Sequence, residues 1–430
     1  MNNNYNSDTI CALATGGGIS AIALLRISGD RSIEIVNKVF SKNLTKKESH
    51  TVHFGNIIID NKIIDEVVIT IFKKNQSFTG EETVEISCHG SKYIQNKILE
   101  ILINNGIRLA NPGEYTMRAF KNGKLDLSQA ESIADLIESE SEAAHKTAIQ
   151  HLRGGFSKKL KLLRQKLIDF ASLIELELDF SEEDVEFANR NQLNNLLNEL
   201  KSEINVLIDS FKLGNVIKNG IPVAILGAPN VGKSTLLNLL LNEDKAIVSD
   251  IAGTTRDSIE DEINIKGYNF RFIDTAGIRK TDDTIENLGI EKTINHADKS
   301  NIIIYLIDAS QNIDNQLDNL ENLSKENQKK IIKVINKIDL NKNLDISTSE
   351  HILISAKENF GTDELKNRIF DFTNLNALDN NNTIVTNQRH YEQLKKTLSE
   401  LKIAIEGLNN GLSGDLLAIN IKQSLFHLGL

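Results

Sequence analysis

Residues 227–235 read GAPNVGKST, with the apolar run VAIL before them and LLNLLL after them. A strand-like run, a glycine-containing loop and a helix-like run in that order form the setting in which a backbone cradles phosphate. Gly227 and Gly232 permit tight turns, so successive N–H groups point at a β-phosphate beside a helix N-terminus. The segment Asn230, Val231, Gly232, Lys233, Ser234 and Thr235 is therefore read as a triphosphate cradle. Lys233 brings a compact positive charge to the β- and γ-phosphates and is a candidate catalytic residue, while the Ser234 hydroxyl suits Mg²⁺.

Around this loop, residues 214–376 alternate apolar runs (VAIL, FRFID, NIIIYLID, KIIKVIN, HILIS) with helix-like stretches. Runs apolar at every position belong to strands buried on both faces, hence to a mainly parallel, doubly wound sheet. Four further segments follow in order. GTTRD holds Thr255, a second Mg²⁺ ligand and γ-phosphate sensor. DTAG, Asp274, Thr275, Ala276 and Gly277, puts a carboxylate near the metal and an N–H near the γ-phosphate. NKID contains Asn336, Lys337 and Asp339, whose carboxylate accepts two hydrogens from a guanine edge. Adenine does not offer that pair, and a site built on such bonds rejects the analogue by roughly 10⁴-fold. SAK, Ser355, Ala356 and Lys357, covers the base. Together the segments predict a guanine-specific P-loop GTPase that uses GTP and Mg²⁺.

The flanking regions differ in period. Residues 1–118 mix short apolar runs with turns and one helix-like segment, SKYIQNKILEILINNG, an α+β pattern. From 119 to 213 proline is absent, and Leu160, Leu163, Leu167, Phe170 and Ile174 recur at helical spacing. Helical spacing returns from about 383 to 430, after the Asn-rich LDNNNT, in a second helical piece bounded at 377–430. Neither helical piece offers much core alone, so the two are expected to pack as one discontinuous helical domain with the GTPase domain inserted between them. The expected fold is multidomain, α+β and α/β, without internal repeats.

Composition narrows the classes. A chain of 430 residues with 40% hydrophobic and 25% charged content reads as globular, with about two or three domains. No run approaches the roughly 18 apolar residues of a membrane span, and MNNNYNSDTI lacks the pattern of a secretory leader. Cys11 and Cys88 are the only cysteines, in no metal-ligand spacing, and are read as packing residues in a reducing, cytoplasmic setting. A net charge of −10 argues against a surface that coats nucleic acid. Lys158, Lys159, Lys161, Arg164 and Lys166 in SKKLKLLRQK read as a solvated helix face.

Long stretches outside the nucleotide segments, LLRISG (24–29), SFTGEETVEISCHG (77–90) and NPGEYTMRAFKNGKLDLSQAESIADLI (111–137), resemble the MnmE (TrmE) family of bacterial tRNA modification GTPases over nearly the full chain. The resemblance implies a homodimer with an N-terminal folate-binding domain. It also implies an FAD-dependent MnmG-type partner, joined as a heterotetramer, that helps install an aminomethyl-type group at C5 of the wobble uridine of certain tRNAs. The one-carbon donor would be 5-formyltetrahydrofolate or a related tetrahydrofolate, contacted by Arg26, Glu85 and Lys124. Ile278 stands where Ras-type switches carry a water-orienting glutamine. The family pattern divides that task between K⁺ and a carboxylate. K⁺ would be held by Asn230 and by carbonyls of the loop Ser249, Asp250, Ile251, Ala252, Gly253 and Thr254, chiefly Ser249, Ile251 and Thr254, and Glu286 would position water. GTP and K⁺ would thereby draw two G domains together.

The sequence departs from the family at GGGIS (16–20), where the family has prolines, which leaves that loop more flexible. Family members also carry a Cys-x-Gly-Lys tail beyond this position, so the expectation for this chain is GTP hydrolysis with weak or absent tRNA modification. Two other readings share the nucleotide motifs: a ribosome-assembly GTPase of the Era or EngA kind, and a non-enzymatic GTP switch. Those ribosome-assembly proteins carry an RNA-binding KH-type domain after the GTPase domain, whereas helical spacing returns here after LDNNNT.

Overall fold

The computed structural model describes residues 8–179, 190–245, 261–273, 299–317, 330–341, 351–373, 383–412 and 414–429. Contacts divide them into two units, one ending at Ala134 and the other beginning at Asp135.

In the first unit, strict alternation builds a sheet with one covered face. Its strands are β1 (Ile10–Leu13), β2 (Ser20–Ser28), β3 (Thr51–Ile59), β4 (Lys62–Phe72), β5 (Thr83–Gly90) and β6 (Arg108–Leu109), ordered β3-β4-β5-β2-β1-β6. Ile57, Val67, Ile69, Ile71, Val84 and Ile86 share a core with α1 (Ser32–Val39) and α2 (Lys92–Asn104). The residues between them point the other way: Val52, Phe54 and Val68 are exposed, with Phe54 and Val68 directly paired. The sequence suggested one helix here. The structure adds α1 and α3 (Glu114–Lys121), each of two turns, too short for periodicity to declare itself. Cys11 and Cys88 lie in the core, where burial raises both thiols to about 11 and keeps them protonated.

Helices α4 (Leu127–Ile137), α5 (Glu142–Leu152), α6 (Gly155–Asp179) and α7 (Arg190–Asn219) come next in the chain. In the second unit, Leu163 and Leu167 of α6 and Leu197 and Leu200 of α7 share one core with two late helices, α10 (Gln388–Asn409) and α11 (Gly414–Leu428). The chain thus returns after the nucleotide domain to finish a helical core begun before it. Lys159 pairs with Glu203 of α7 at 2.7 Å and Lys166 with Glu199, so these two basic residues lie on a solvated, ion-paired helix face. Helix α7 runs past the boundary expected at 213/214 and stops only at Gly220, whose φ of 78° an L-residue adopts with strain.

Gly220 leads directly into β7 (Ile221–Gly227) of a second six-stranded sheet, ordered β12-β11-β10-β7-β9-β8. Its other strands are β8 (Asp261–Ile265), β9 (Tyr268–Phe272), β10 (Ile302–Asp308), β11 (Lys330–Asn336) and β12 (Ile352–Leu353). All pairs are parallel except β8 with β9. Every residue of β10 is buried, as its unbroken apolar run predicts. One face packs on α8 (Lys233–Lys245) and α9 (Thr362–Phe372) through Leu236, Leu240, Leu365 and Ile369. The other packs Leu226, Ile303, Tyr305 and Ile307 into a second core. Among the described residues, no helix is long and apolar enough to cross a membrane.

Candidate active site

The loop between β7 and α8 needs its glycines. Gly227 and Gly232 have φ of 147° and 101°, and Asn230 itself is left-handed at 60°. A Cβ on Gly232 would stand 2.3 Å from Asn336 Nδ2, so the loop and the end of β11 fit only around glycine. That close approach is functional geometry. Asn336 Nδ2 donates to Val231 O at 2.9 Å, and its Oδ1 accepts from Ala356 N at 3.0 Å. One buried amide thereby joins the NKID and SAK segments to the phosphate loop. Lys233 Nζ donates to Gly227 O and Ala228 O at 2.9 and 2.8 Å, which poises it over the loop, and burial lowers its pKa.

Asp339 accepts from Ser355 Oγ at 2.6 Å, which orients the carboxylate proposed to read guanine and leaves its other oxygen available. Lys337, also left-handed (φ 64°), reaches Asn230 O and Asp308 Oδ2, each at 2.7 Å. The structure thus brings Asn230, Val231, Gly232, Lys233, Asn336, Lys337, Asp339, Ser355 and Ala356 into one linked set. Ser234 and Thr235 start α8 beside them. Lys357 is exposed, with its ammonium 3.9 Å from Glu358. The segments Ser249–Thr255 and Asp274–Gly277, together with Ile278 and Glu286, lie outside the described residues.

Asp308 was not singled out by sequence, although it ends the apolar run NIIIYLID. Its carboxylate is buried, and accepts from Ser310 N, Ser310 Oγ and Lys337 Nζ at 2.9, 2.6 and 2.7 Å. Burial pushes its pKa up, but the bonds from Lys337 and Ser310 outweigh it and hold the group below the ordinary carboxylate range.

For metals, the test is what the residues leave free. Asn230 is exposed and its side-chain amide bonds to no described residue, so its oxygen could serve a ligand at the loop mouth. Ser234 sits in the first turn of α8, the place from which a hydroxyl reaches phosphate-bound Mg²⁺.

In the N-terminal unit, Arg26 and Glu85 are cross-strand partners on β2 and β5, paired at 2.7 Å. The Arg26 guanidinium lies 5.7 Å from the Phe78 ring centroid and 5.8 Å from that of Tyr115, both missed in the sequence. Tyr115 Oη also donates to Arg26 O at 2.6 Å. Lys124 joins through the loop that carries Phe78: its Nζ donates to Asn75 O at 2.6 Å, and Asn122 Nδ2 to Thr79 O at 2.7 Å. The three residues expected around a folate therefore share one neighbourhood, though Arg26 and Glu85 already satisfy each other in part. Behind them, Arg118 is buried among Asp8, Glu81 and Glu114, and Arg108 bonds Asp8 and Glu114.

A doubly wound sheet whose first strand runs into a lysine-bearing phosphate loop, tied to an NKID segment, defines a P-loop GTPase. The family model of the MnmE helical domain matches residues 127–430, and that of the GTP-binding protein TrmE N-terminus matches residues 9–124. The chain belongs to the MnmE family of tRNA modification GTPases. The tRNA modification GTPase MnmE of Flavobacterium johnsoniae is 52% identical over 442 residues, covering 99% of this chain and 95% of that protein. The protein of the same name from Flavobacterium psychrophilum is 53% identical over 435 residues, covering 98% and 94%. Among solved structures, Era in complex with MgGDPNP and a 16S ribosomal RNA segment is 32% identical over 35% of this chain and 56% of that one, with a TM-score of 0.26. Membership of the MnmE family, over both flanking regions, sets aside the ribosome-assembly reading.

Proposed function

We propose that this chain is a K⁺-stimulated GTP hydrolase that works with an FAD-containing MnmG-type partner on the wobble uridine, position 34, of certain tRNAs. The product is a 5-carboxymethylaminomethyl- or aminomethyl-type uridine, and a tetrahydrofolate supplies the one-carbon unit. The observation that carries the reading is the set of bonds joining the phosphate loop to the NKID and SAK segments, within a chain related over its whole length to tRNA modification GTPases.

In this reading Asp339 accepts from the guanine edge while Ser355 holds it in place, and Asn336 fixes the distance between base and phosphates. Lys233 exchanges its two carbonyl partners for phosphate oxygens, a better match for a buried ammonium. Ser234 and Thr255 hold Mg²⁺, which neutralises phosphate charge. Asn230, with carbonyls from Ser249, Ile251 and Thr254, holds K⁺, which offsets charge between the β- and γ-phosphates. Ser249–Thr255 and Asp274–Gly277 bind the nucleotide, and Glu286 orients water in place of the glutamine that Ile278 replaces. Arg26, Glu85 and Lys124 bind the folate, with Phe78 and Tyr115 as apolar walls around the guanidinium. The exposed row of Val52, Phe54 and Val68 supports a homodimer through the N-terminal sheet, because such a face is costly to leave in water.

Reconstitution tests the assignment. Purified full-length chain, its MnmG-type partner carrying FAD, and tRNA are mixed and passed over a sizing column. A single peak with flavin and RNA absorbance is expected. Three separate peaks overturn the partner assignment.

A further inference from the structure

We propose that Asp308 is a positioning residue for guanine nucleotide: its buried carboxylate aims Lys337 at the carbonyl of Asn230 and so locks the base-reading loop to the phosphate loop. The inference rests on the nucleotide reading above and adds a residue that none of the nucleotide motifs contains.

The geometry is specific. The Lys337 stem leaves a left-handed backbone, and its ammonium is only partly shielded, at 30% exposure for the side chain. A lysine so placed gains full hydration by swinging outward. Two acceptors at 2.7 Å hold it in: Asp308 Oδ2, which carries the charge, and Asn230 O, which lies on the phosphate loop. Asp308 is itself immobilised. The side chain of Gln316 accepts from Asp308 N at 2.9 Å and donates to Asp308 O at 3.2 Å. Ser310 supplies two donors to the carboxylate, so its negative charge is fully coordinated and directed at Lys337. Ala309 N donates to Asn336 O at 2.9 Å, which ties the same turn to the start of the NKID loop. A surface ion pair would contribute little, but here one partner is buried and the other bridges two loops that meet on one ligand.

Without the carboxylate, Lys337 loses its charged anchor and Asn230 O its donor. Base and phosphate contacts then form on two loops that move independently, and bound nucleotide leaves sooner.

The test follows release of fluorescent mant-GDP from the full chain by stopped flow, for Asp308→Asn, Lys337→Met and the double variant, with Asp339→Asn as control. Asp308→Asn preserves shape and removes charge. Expected are about tenfold faster release for each of the first two single variants, and a double variant no faster than Lys337→Met. The association rate of mant-GDP stays within about twofold for Asp308→Asn, so the change lies in release alone, a split that general unfolding would not produce. Wild-type release from Asp308→Asn, or an effect that multiplies with Lys337→Met, overturns the proposal. If Asp308→Asn does not fold, Asp308→Glu serves: it keeps the charge, so near-wild-type release is expected and fast release is contrary. Unchanged GDP binding by Asp339→Asn would instead remove the nucleotide reading itself.

Discussion

The amide of Ala143, in the first turn of α5, donates to Gly267 O at 3.0 Å, so a helix of the helical domain is capped by the turn between β8 and β9 of the nucleotide domain. Ser141 satisfies the neighbouring amide, accepting from Ala144 N at 3.1 Å. The hairpin that holds this turn is bounded in sequence by GTTRD and DTAG, the two segments proposed to sense nucleotide. Gly267 is left-handed at 82°, and a Cβ there would lie 3.1 Å from Glu142 Oε2. Gly267→Ala is expected to destabilise the chain by about 1–2 kcal/mol, read as a lower urea midpoint. An unchanged midpoint would show that the turn is free to adjust.

Asp339→Asn removes the proposed acceptor of two guanine hydrogens and offers an amide that suits xanthine. Hydrogen bonds to a charged group contribute about 1.5–3 kcal/mol each, so GTP affinity should fall by about 10²–10⁴-fold while xanthosine triphosphate gains. Competition against labelled GDP reads both numbers. Retained preference for guanine would displace base recognition from Asp339.

Acid should weaken the N-terminal unit through its buried charge cluster. The bond from Arg108, opposed by burial and aided by Asn111 N and Arg118, pulls the Glu114 carboxyl from its ordinary 4.5 to about 2. A depressed carboxylate stabilises fully above its unfolded pKa, and that contribution is lost as pH falls from about 4.5 towards about 2. Asp8 shifts the same way: burial opposes, but bonds from Arg108 and Arg118 prevail. The urea midpoint should therefore drop between about pH 5 and pH 3, and less steeply in Glu114→Gln. That variant should also lose about 2–3 kcal/mol at neutral pH, because it leaves the buried Arg118, and the partly exposed Arg108, short of a partner. Parallel pH profiles for both proteins would remove Glu114 from the account.

What the sequence revealed depended on how local each feature is. The phosphate loop was legible because Gly227 and Gly232 must adopt positive φ within a fixed spacing. Strands β7 and β10 were legible because burial on both faces makes them largely apolar, and β11 because Ile331, Ile332, Val334 and Ile335 flank its one interior lysine. Strand β8 was not. It is an antiparallel edge strand in which Ile263 and Ile265 alternate with the exposed Glu262 and Asn264, and its charged residues mask the period. The link from Asp308 to Lys337 joins residues 29 apart, and that from Arg118 to Asp8 residues 110 apart. Such pairs exist only once the sheets are assembled, and no spacing rule announces them. Arg26, Glu85 and Lys124 were singled out by resemblance alone, whereas Phe78 and Tyr115 beside Arg26 required the folded neighbourhood.

The central claim is that the proposed monovalent cation at Asn230 shares with Glu286 the task that a glutamine performs in other GTPases. GTP turnover by the full chain in KCl and in NaCl at equal ionic strength tests it most directly. At least about tenfold faster turnover in KCl is predicted, with the difference abolished by Asn230→Ala. Equal rates in the two salts would contradict the claim.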